Sequence, residues 1–132
     1  MASLFELEAP TFGGKTLTGM TFAAPTVTAT LTVAETVNAI LETDQSAAIT
    51  LTTPTAAAIK AAFPGAKAGT SFELTVINSG SNHNVTIAGG TDVTVVGIAT
   101  VAQFASKVFV GYFDTATTVK MYGMGSTAAA QS

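Results

Sequence analysis

Polar and apolar residues alternate along much of this chain, with the period of two that a half-buried β-strand requires. The longest regular stretch is residues 26–33, Thr-Val-Thr-Ala-Thr-Leu-Thr-Val, and residues 49–52 repeat the pattern briefly. The alternation predicts a strand over 26–33 whose inward-facing side chains are Val27, Ala29, Leu31 and Val33.

Between Ser71 and Met124, short β-branched segments follow one another with turn-forming residues between them. Gly, Asn, Asp and Ser recur in these turns at a spacing of roughly 8 to 12 residues, which is typical of a β-sandwich or jelly roll. The predicted strands lie within residues 72–76, 85–87, 93–96, 101–110 and 118–122. We therefore expect an all-β protein with a jelly-roll-like β-sandwich over residues 26–124.

One segment has helical signals. Thr53 is a suitable N-cap, Pro54 suits the first helical position, and an alanine-rich run with Ile59 and Phe63 four residues apart follows. Pro64 then ends the pattern, since proline cannot continue a helix. We expect one short helix over about residues 54–63.

Residues 1–25 are irregular, because Pro and Gly interrupt every period, yet they remain apolar. A solvated tail does not usually carry three phenylalanines. We therefore predict an extended N-terminal arm over 1–25 and a small polar tail over 125–132. The arm is expected to lie against its own domain or a neighbour, and the residues expected to anchor it are Leu4, Phe5, Phe12, Leu17, Met20 and Phe22.

Charge is scarce in this sequence. Only 10% of the 132 residues are charged, against roughly 25% in an average soluble domain, and 48% are hydrophobic. Such a surface is poorly protected against association, so we expect much of it to be buried against partners. The net charge of −3, with five scattered lysines and no arginine, argues against nucleic-acid binding and against anionic membranes. The acidic start of the chain lacks the basic region of a signal peptide, which predicts synthesis and assembly in the cytoplasm of a cell.

Candidate chemistry is thin. His83, the single histidine, lies in a predicted turn, has no second ligand at metal-binding spacing, and is expected to be an exposed loop residue. Asp92 follows Gly89-Gly90 and could ligate calcium, but it has no other acid within ten residues and fits a turn. Asp114 has the same interpretation.

Glu35, Glu42 and Asp44 flank apolar residues and could form a carboxylate pair, although a solvated edge fits them better. No serine lies in a Gly-x-Ser-x-Gly motif. We therefore predict that the protein is not an enzyme and has no catalytic, metal or cofactor site. The aromatic residues near the C-terminal end could instead form a sugar-binding platform or fill the core with the tyrosines at its rim; they are Phe104, Phe109, Tyr112, Phe113 and Tyr122.

Several stretches together resemble a β-rich module of phage virion proteins, among them capsid decoration (cement) proteins and head-fibre tips. The resemblance covers roughly residues 48–124 and consists of turns and apolar spacing rather than catalytic residues. The stretches that carry it are 49–59, 63–65, 69–80, 85–90, 93–97 and 119–122.

This resemblance implies a homotrimer on the outer surface of a phage capsid, bound to the major capsid protein and stabilising the shell by bridging capsomers. For the trimer seam, Tyr112 and Tyr122 are the expected contacts. The alternative is a trimeric host-attachment or glycan-binding module of a phage fibre or spike, with the loop 79–84 at its exposed tip.

Overall fold

The computed structural model of the protein describes Thr11–Phe12, Lys15–Thr16 and residues 19–125. The predictions for Leu4, Phe5, Leu17 and the tail over 126–132 therefore lie outside the described residues. Phe12 lies in a described strand, but its side chain does not belong to the described part.

Twelve strands and one helix make up the described part of the chain. The strands are β1 (Thr11–Phe12), β2 (Lys15–Thr16), β3 (Thr21–Ala23), β4 (Ala29–Thr30), β5 (Ala39–Thr43), β6 (Ile49–Thr52), β7 (Ser71–Asn78), β8 (Val85–Ala88), β9 (Val93–Val96), β10 (Thr100–Val101), β11 (Ala105–Phe113) and β12 (Val119–Met124). The helix, α1, is Ala56–Ala62.

Two sheets contain most of these strands. A six-stranded sheet has the order β3-β5-β7-β11-β12-β9, and a four-stranded sheet has the order β10-β8-β6-β4. Strands β1 and β2 form a separate antiparallel pair. The two main sheets contribute to one buried cluster, whose fully buried large side chains include Leu41, Leu51, Leu74, Ile87 and Phe109.

From β3 to β10, each strand lies in the opposite sheet from the strand before it. Because the chain returns to the same sheet in the same direction, β3, β5 and β7 are parallel neighbours, and so are β4, β6 and β8. The chain thus winds around the core before β11 pairs antiparallel to β7 and β12 pairs antiparallel to β11.

The prediction of a mainly β fold with one short helix is confirmed, whereas the jelly-roll arrangement is not. A jelly roll is built from antiparallel Greek keys. Here β9 is also parallel to β12, and both sheets are mixed.

The helix begins two residues later than predicted. Thr55 is its N-cap, and the Thr55 hydroxyl accepts a hydrogen bond from the Ala58 amide at 3.0 Å. Thr53, the predicted cap, is buried instead. Its hydroxyl donates to the Pro54 carbonyl and accepts from the Gly90 amide, both at 2.9 Å, so it joins two loops rather than capping the helix.

The strand predicted over 26–33 was largely wrong. Only Ala29–Thr30 is a strand, Val27 is 66% exposed, and Leu31 alone of the predicted inward residues is fully buried. The extended backbone ends at Thr32 because the Thr32 amide donates a hydrogen bond to the Glu35 carboxylate, and the Glu35 amide donates one to the Thr32 hydroxyl. Such local side-chain bonds compete with a strand ladder and favour a turn.

Gly90 offers a test of the loop junction beside the helix. A Cβ at this position would lie 2.6 Å from the Thr53 carbonyl oxygen and 2.8 Å from that of Pro54. Because both obstacles are backbone atoms, we expect Gly90→Ala to lower the free energy of unfolding by about 2 kcal/mol or more. Urea titration would measure the loss. Gly65→Ala is the matched control, since a Cβ there meets nothing within 4 Å, and an equal loss in both variants would contradict the prediction.

Asn78 offers a second test, at the end of β7. Its buried amide donates to the carbonyls of His83 at 2.8 Å and Val101 at 3.1 Å, and its oxygen accepts from the Gly80 amide at 3.0 Å. Asn78→Ala leaves these buried groups without partners, so we expect a loss of about 2 to 3 kcal/mol in thermal or urea unfolding. The exposed Asn82→Ala should change stability by less than about 0.5 kcal/mol. Similar losses in the two variants would argue against this role of Asn78.

Candidate assembly surface

The outward faces of the two main sheets differ in chemistry. On the four-stranded sheet, Thr50, Thr86 and Thr100 are register neighbours across β6, β8 and β10, and Thr52 lies beside them on β6. All four are partly exposed, and the hydroxyls of Thr86 and Thr100 are 3.5 Å apart. This threonine-bearing face follows the usual rule that an antiparallel or mixed sandwich turns polar side chains to solvent.

The outward face of the six-stranded sheet is mainly apolar, and we call it the outer apolar face. Strand register aligns its side chains in rows across the sheet. One row consists of Phe22, Ile40, Thr75, Val108 and Met124. The ends of this row are open, with Phe22 63% and Met124 52% exposed. Four of its five members are therefore large hydrophobic side chains on a surface.

Two further rows complete the centre of this face. The first consists of Glu73, Val110, Tyr122 and Val96, and the second of Ser71, Tyr112, Lys120 and Thr94. Val96 is 37% exposed, while Val110 and the two tyrosines are half-buried because they lie on the inner strands of the sheet. In these rows the charged groups are Glu73 on β7 and Lys120 on β12, and the outward-facing residues of β11 between them are uncharged.

The size of the outer apolar face matters for its interpretation. Six strands at about 4.8 Å spacing span about 24 Å, and six residues along β7 at about 3.3 Å span about 20 Å. The sheet face, polar positions included, thus extends over roughly 500 Å², and exposed apolar side chains that lie next to one another on such a face are a feature of interaction sites. The face is large enough to be a protein contact.

Tyr112 and Tyr122 lie diagonally on β11 and β12 and stack on each other. Their ring centroids are 5.7 Å apart and their planes differ by 12°. The hydrogen bond with the Tyr122 hydroxyl, together with desolvation, raises the pKa of Tyr112 above its usual value of 10.0. The pair forms a flat aromatic element in the middle strands of the outer apolar face, towards the end of the face at which β11 ends.

Phe104 extends the apolar surface at the other end of the face. Its side chain is 74% exposed, and its backbone has φ 57°, a left-handed conformation that is unusual for a bulky residue. With Ile77 and Ser106 it borders an open depression of about 450 Å³. An exposed phenylalanine held in this conformation is a feature that surrounding contacts must stabilise, and such features cluster at functional positions.

A second cleft, of about 460 Å³, lies between the end of α1 and the starts of β5 and β7. Ile59, Phe72 and Phe113 form its apolar floor, and Phe63 stands at its edge. None of the residues that line it is an acid, a lysine or a histidine. The cleft therefore offers no group for acid–base catalysis.

Titratable side chains are dispersed over the described residues. Within these residues, no three or more His, Cys, Asp or Glu side chains come together as a possible metal site. Asp92 has the left-handed backbone of a turn, φ 63°, and its carbonyl accepts a hydrogen bond from the Val119 amide. Asp114 lies 3.9 Å from Lys120 at the surface. In the same part of the chain, α1 is too short and insufficiently apolar to cross a bilayer, and no other helix does so.

The structure brings together residues that the sequence assigned to two different contacts. Phe22, predicted as an arm residue, lies on the same face as Tyr112 and Tyr122, predicted as the trimer seam. Met20, 56% exposed, immediately precedes β3 at the border of this face. Sequence reasoning did not identify the other large members of the face, which are Ile40, Ile77, Val96, Val108, Val110 and Met124. One signal was available, since residues 107–113 read Lys-Val-Phe-Val-Gly-Tyr-Phe and are apolar at both odd and even positions.

The tyrosine pair generates a pH prediction. A raised pKa means that the folded state holds the phenol proton more tightly than the unfolded state does. Stability contributed by Tyr112 is therefore present below pH 10 and falls as the pH rises through the folded pKa. In Tyr122→Phe, which keeps the ring but removes the hydroxyl, we expect the pKa of Tyr112 to return towards 10. Absorbance at 295 nm measures it, with Tyr112→Phe as the control, and an unshifted midpoint in Tyr122→Phe would contradict the coupling.

Neither a protein-family model, nor a curated protein, nor a solved structure matches this chain. Its function is therefore inferred from its own surface, in which one outward sheet face is lined with threonines and the other with large apolar side chains.

Proposed function

We propose that this protein is a non-enzymatic structural component of a phage virion, a capsid decoration protein. It binds the outer surface of the head as a homotrimer, contacts the major capsid protein, and stabilises the shell by bridging capsomers. The proposal joins the resemblance of residues 48–124 to decoration modules with the surface chemistry of the fold.

The outer apolar face is the observation that carries this proposal. Val108 and Val110 lie at its centre, and Phe22, Val96 and Met124 are exposed around them. Removing apolar surface from water is favourable by about 25 cal/mol per Å², so burial of the exposed apolar side chains of this face favours association. A protein that works inside an assembly has this surface covered, whereas a free monomer exposes it.

Catalysis gains no comparable support from the described residues. The larger cleft is apolar, and the acids are either turn residues or exposed on strands. A reaction needs titratable groups positioned within hydrogen-bonding reach of a substrate. A structural role requires only shape and apolar contact, which this fold provides.

The alternative function is a host-attachment or glycan-binding module, and one observation favours it. Phe104 is the most exposed large hydrophobic side chain described, and it lies next to Ser79 and Ser106. An open aromatic ring with neighbouring hydroxyls can stack on a sugar and bind its polar groups. This function also requires no catalytic group.

The decoration hypothesis predicts two measurements on the purified full chain. Light scattering should give three times the 13.2 kDa chain mass, and the trimer should co-sediment with shells of its phage assembled without it. Leu4→Ser/Phe5→Ser should reduce shell binding at least about tenfold without changing the trimer mass, because it removes the proposed apolar anchors of the arm. Leu4→Ile/Phe5→Leu, which keeps the apolar character, is the matched control.

A chain that ignores shells would contradict the decoration role. If that chain bound glycans and lost the binding in Phe104→Ala, the attachment function would replace it. Equal shell binding by the serine and control variants would show that the arm is not the anchor.

A further inference from the structure

We infer that the outer apolar face is the surface through which copies of this chain bind one another. The β7 half of one face meets the β12 half of the next copy, and Glu73 pairs with Lys120 across the contact. This inference rests on the proposed homotrimer and specifies its interface.

The charge distribution favours a second copy as the occupant. Glu42 and Glu73 lie on β5 and β7, on one side of the face, whereas Lys120 lies on β12, on the other side, with Asp114 after the end of β11 at 3.9 Å from it. Strand β11 between them presents Val108, Val110 and Tyr112 outward. The face is therefore complementary to itself when its acidic half meets the lysine half of another copy.

Ring closure brings these halves together. When three copies are arranged around an axis parallel to the strands, the β7 half of each face contacts the β12 half of the neighbouring face. Equivalent residues of the three copies then lie at the same height along the axis. Glu73 and Lys120 lie in adjacent rows, offset by about 7 Å along the strands, which a lysine side chain can span. The symmetry is heterologous but closed, so it saturates at a finite number of copies.

The side chains are available for this contact. Glu73 is exposed, and among the described residues its hydrogen bonds are made by its backbone amide and carbonyl, both to Asn38. Lys120 has a side-chain exposure of 41%, and its ion pair with Asp114 is long, at 3.9 Å. A pair of this kind on a surface contributes little by itself, so Lys120 can reorient towards the neighbouring Glu73.

The apolar side chains and the charged pair have different roles in this interface. Burial of Val108, Val110, Met124 and the stacked tyrosines supplies the affinity. The Glu73–Lys120 pair selects which halves meet, because like charges placed opposite each other oppose association. Three such contacts occur in each trimer, so a charge reversal in the chain changes all three contacts.

Charge reversal tests this pairing in the full chain. Glu73→Lys should place lysine against Lys120 of the neighbour, and Lys120→Glu should place glutamate against Glu73. We expect each single variant to raise the concentration for half-trimerisation about tenfold or more at low salt. The double variant Glu73→Lys/Lys120→Glu restores opposite charges and should recover the trimer. Sedimentation velocity over a dilution series measures all three.

Two controls separate pairing from net charge and from folding. Thr86→Lys adds a lysine to the threonine-bearing face, and Lys67→Glu reverses an exposed lysine in a loop; both should leave trimer formation unchanged. Val110→Lys should abolish the trimer, while circular dichroism shows that the chain is still folded. These variants keep the test decisive even if one reversal weakens the fold.

The outcomes distinguish this inference from the proposed function. Loss of the trimer in both single variants and its recovery in the double variant support the interface, even if the trimer fails to bind shells. A trimer that is insensitive to Glu73→Lys and Val110→Lys overturns the interface and leaves the decoration role intact. If the wild-type protein is a monomer at every concentration tested, the proposed interface is overturned. If that monomer binds shells through Val110, the capsid protein is the partner that covers the face.

Discussion

The antiparallel ladder between β7 and β11 is the interaction on which the rest of the structure depends. It joins eight residue pairs, from Ala105–Asn78 to Tyr112–Ser71, at the centre of the six-stranded sheet. On its inner side the ladder places Leu74 and Phe109 in the core, both fully buried. On its outer side the same two strands present Thr75, Val108 and Val110. Because adjacent residues of a strand point to opposite faces, the packing of the core and the chemistry of the surface are fixed by one register.

That register leaves one side of the six-stranded sheet without a covering layer among the described residues. Apart from Lys107 on the inner side and Ser106 on the outer side, strand β11 is apolar on both sides, and the facing four-stranded sheet covers its inner side. Strands that are buried on both faces normally have a layer above and a layer below them. With a tenth of its residues charged, the sequence has few groups to make the open side soluble. The proposed association follows from this imbalance: another protein surface supplies the missing layer.

The winding of the chain explains why the two outward faces differ. Strands β4, β6, β8 and β10 form the smaller sheet and turn threonines outward, so that this side is compatible with water. Strands β3, β5 and β7 form the other sheet and are extended by β11, β12 and β9, which add the valines, the tyrosines and Met124. At the end of β7, the buried amide of Asn78 joins the loops around Gly80, His83 and Val101 and fixes where the ladder stops. The outer apolar face is therefore held on a rigid sheet rather than on loops.

By itself, the sequence determined the class of the fold and the positions of most strands, because alternation, β-branched residues and turn residues act over a few neighbouring positions. Segments 71–78, 85–88 and 93–96 follow directly from these signals. Local signals failed where a distant partner competed: Thr53 is held by Gly90 and does not cap the helix, and the bonds between Thr32 and Glu35 end the extended segment that begins the domain. Only the tertiary structure decided that the strands pair in parallel, that Phe22 lies on the same face as Tyr112 and Tyr122, and that Glu73 and Lys120 occupy opposite halves of that face. The physical reason is that alternation with a period of two shows which residues share a side of a strand. The sheet to which the strand belongs, and the side of it that is covered, depend instead on contacts between residues far apart in the chain.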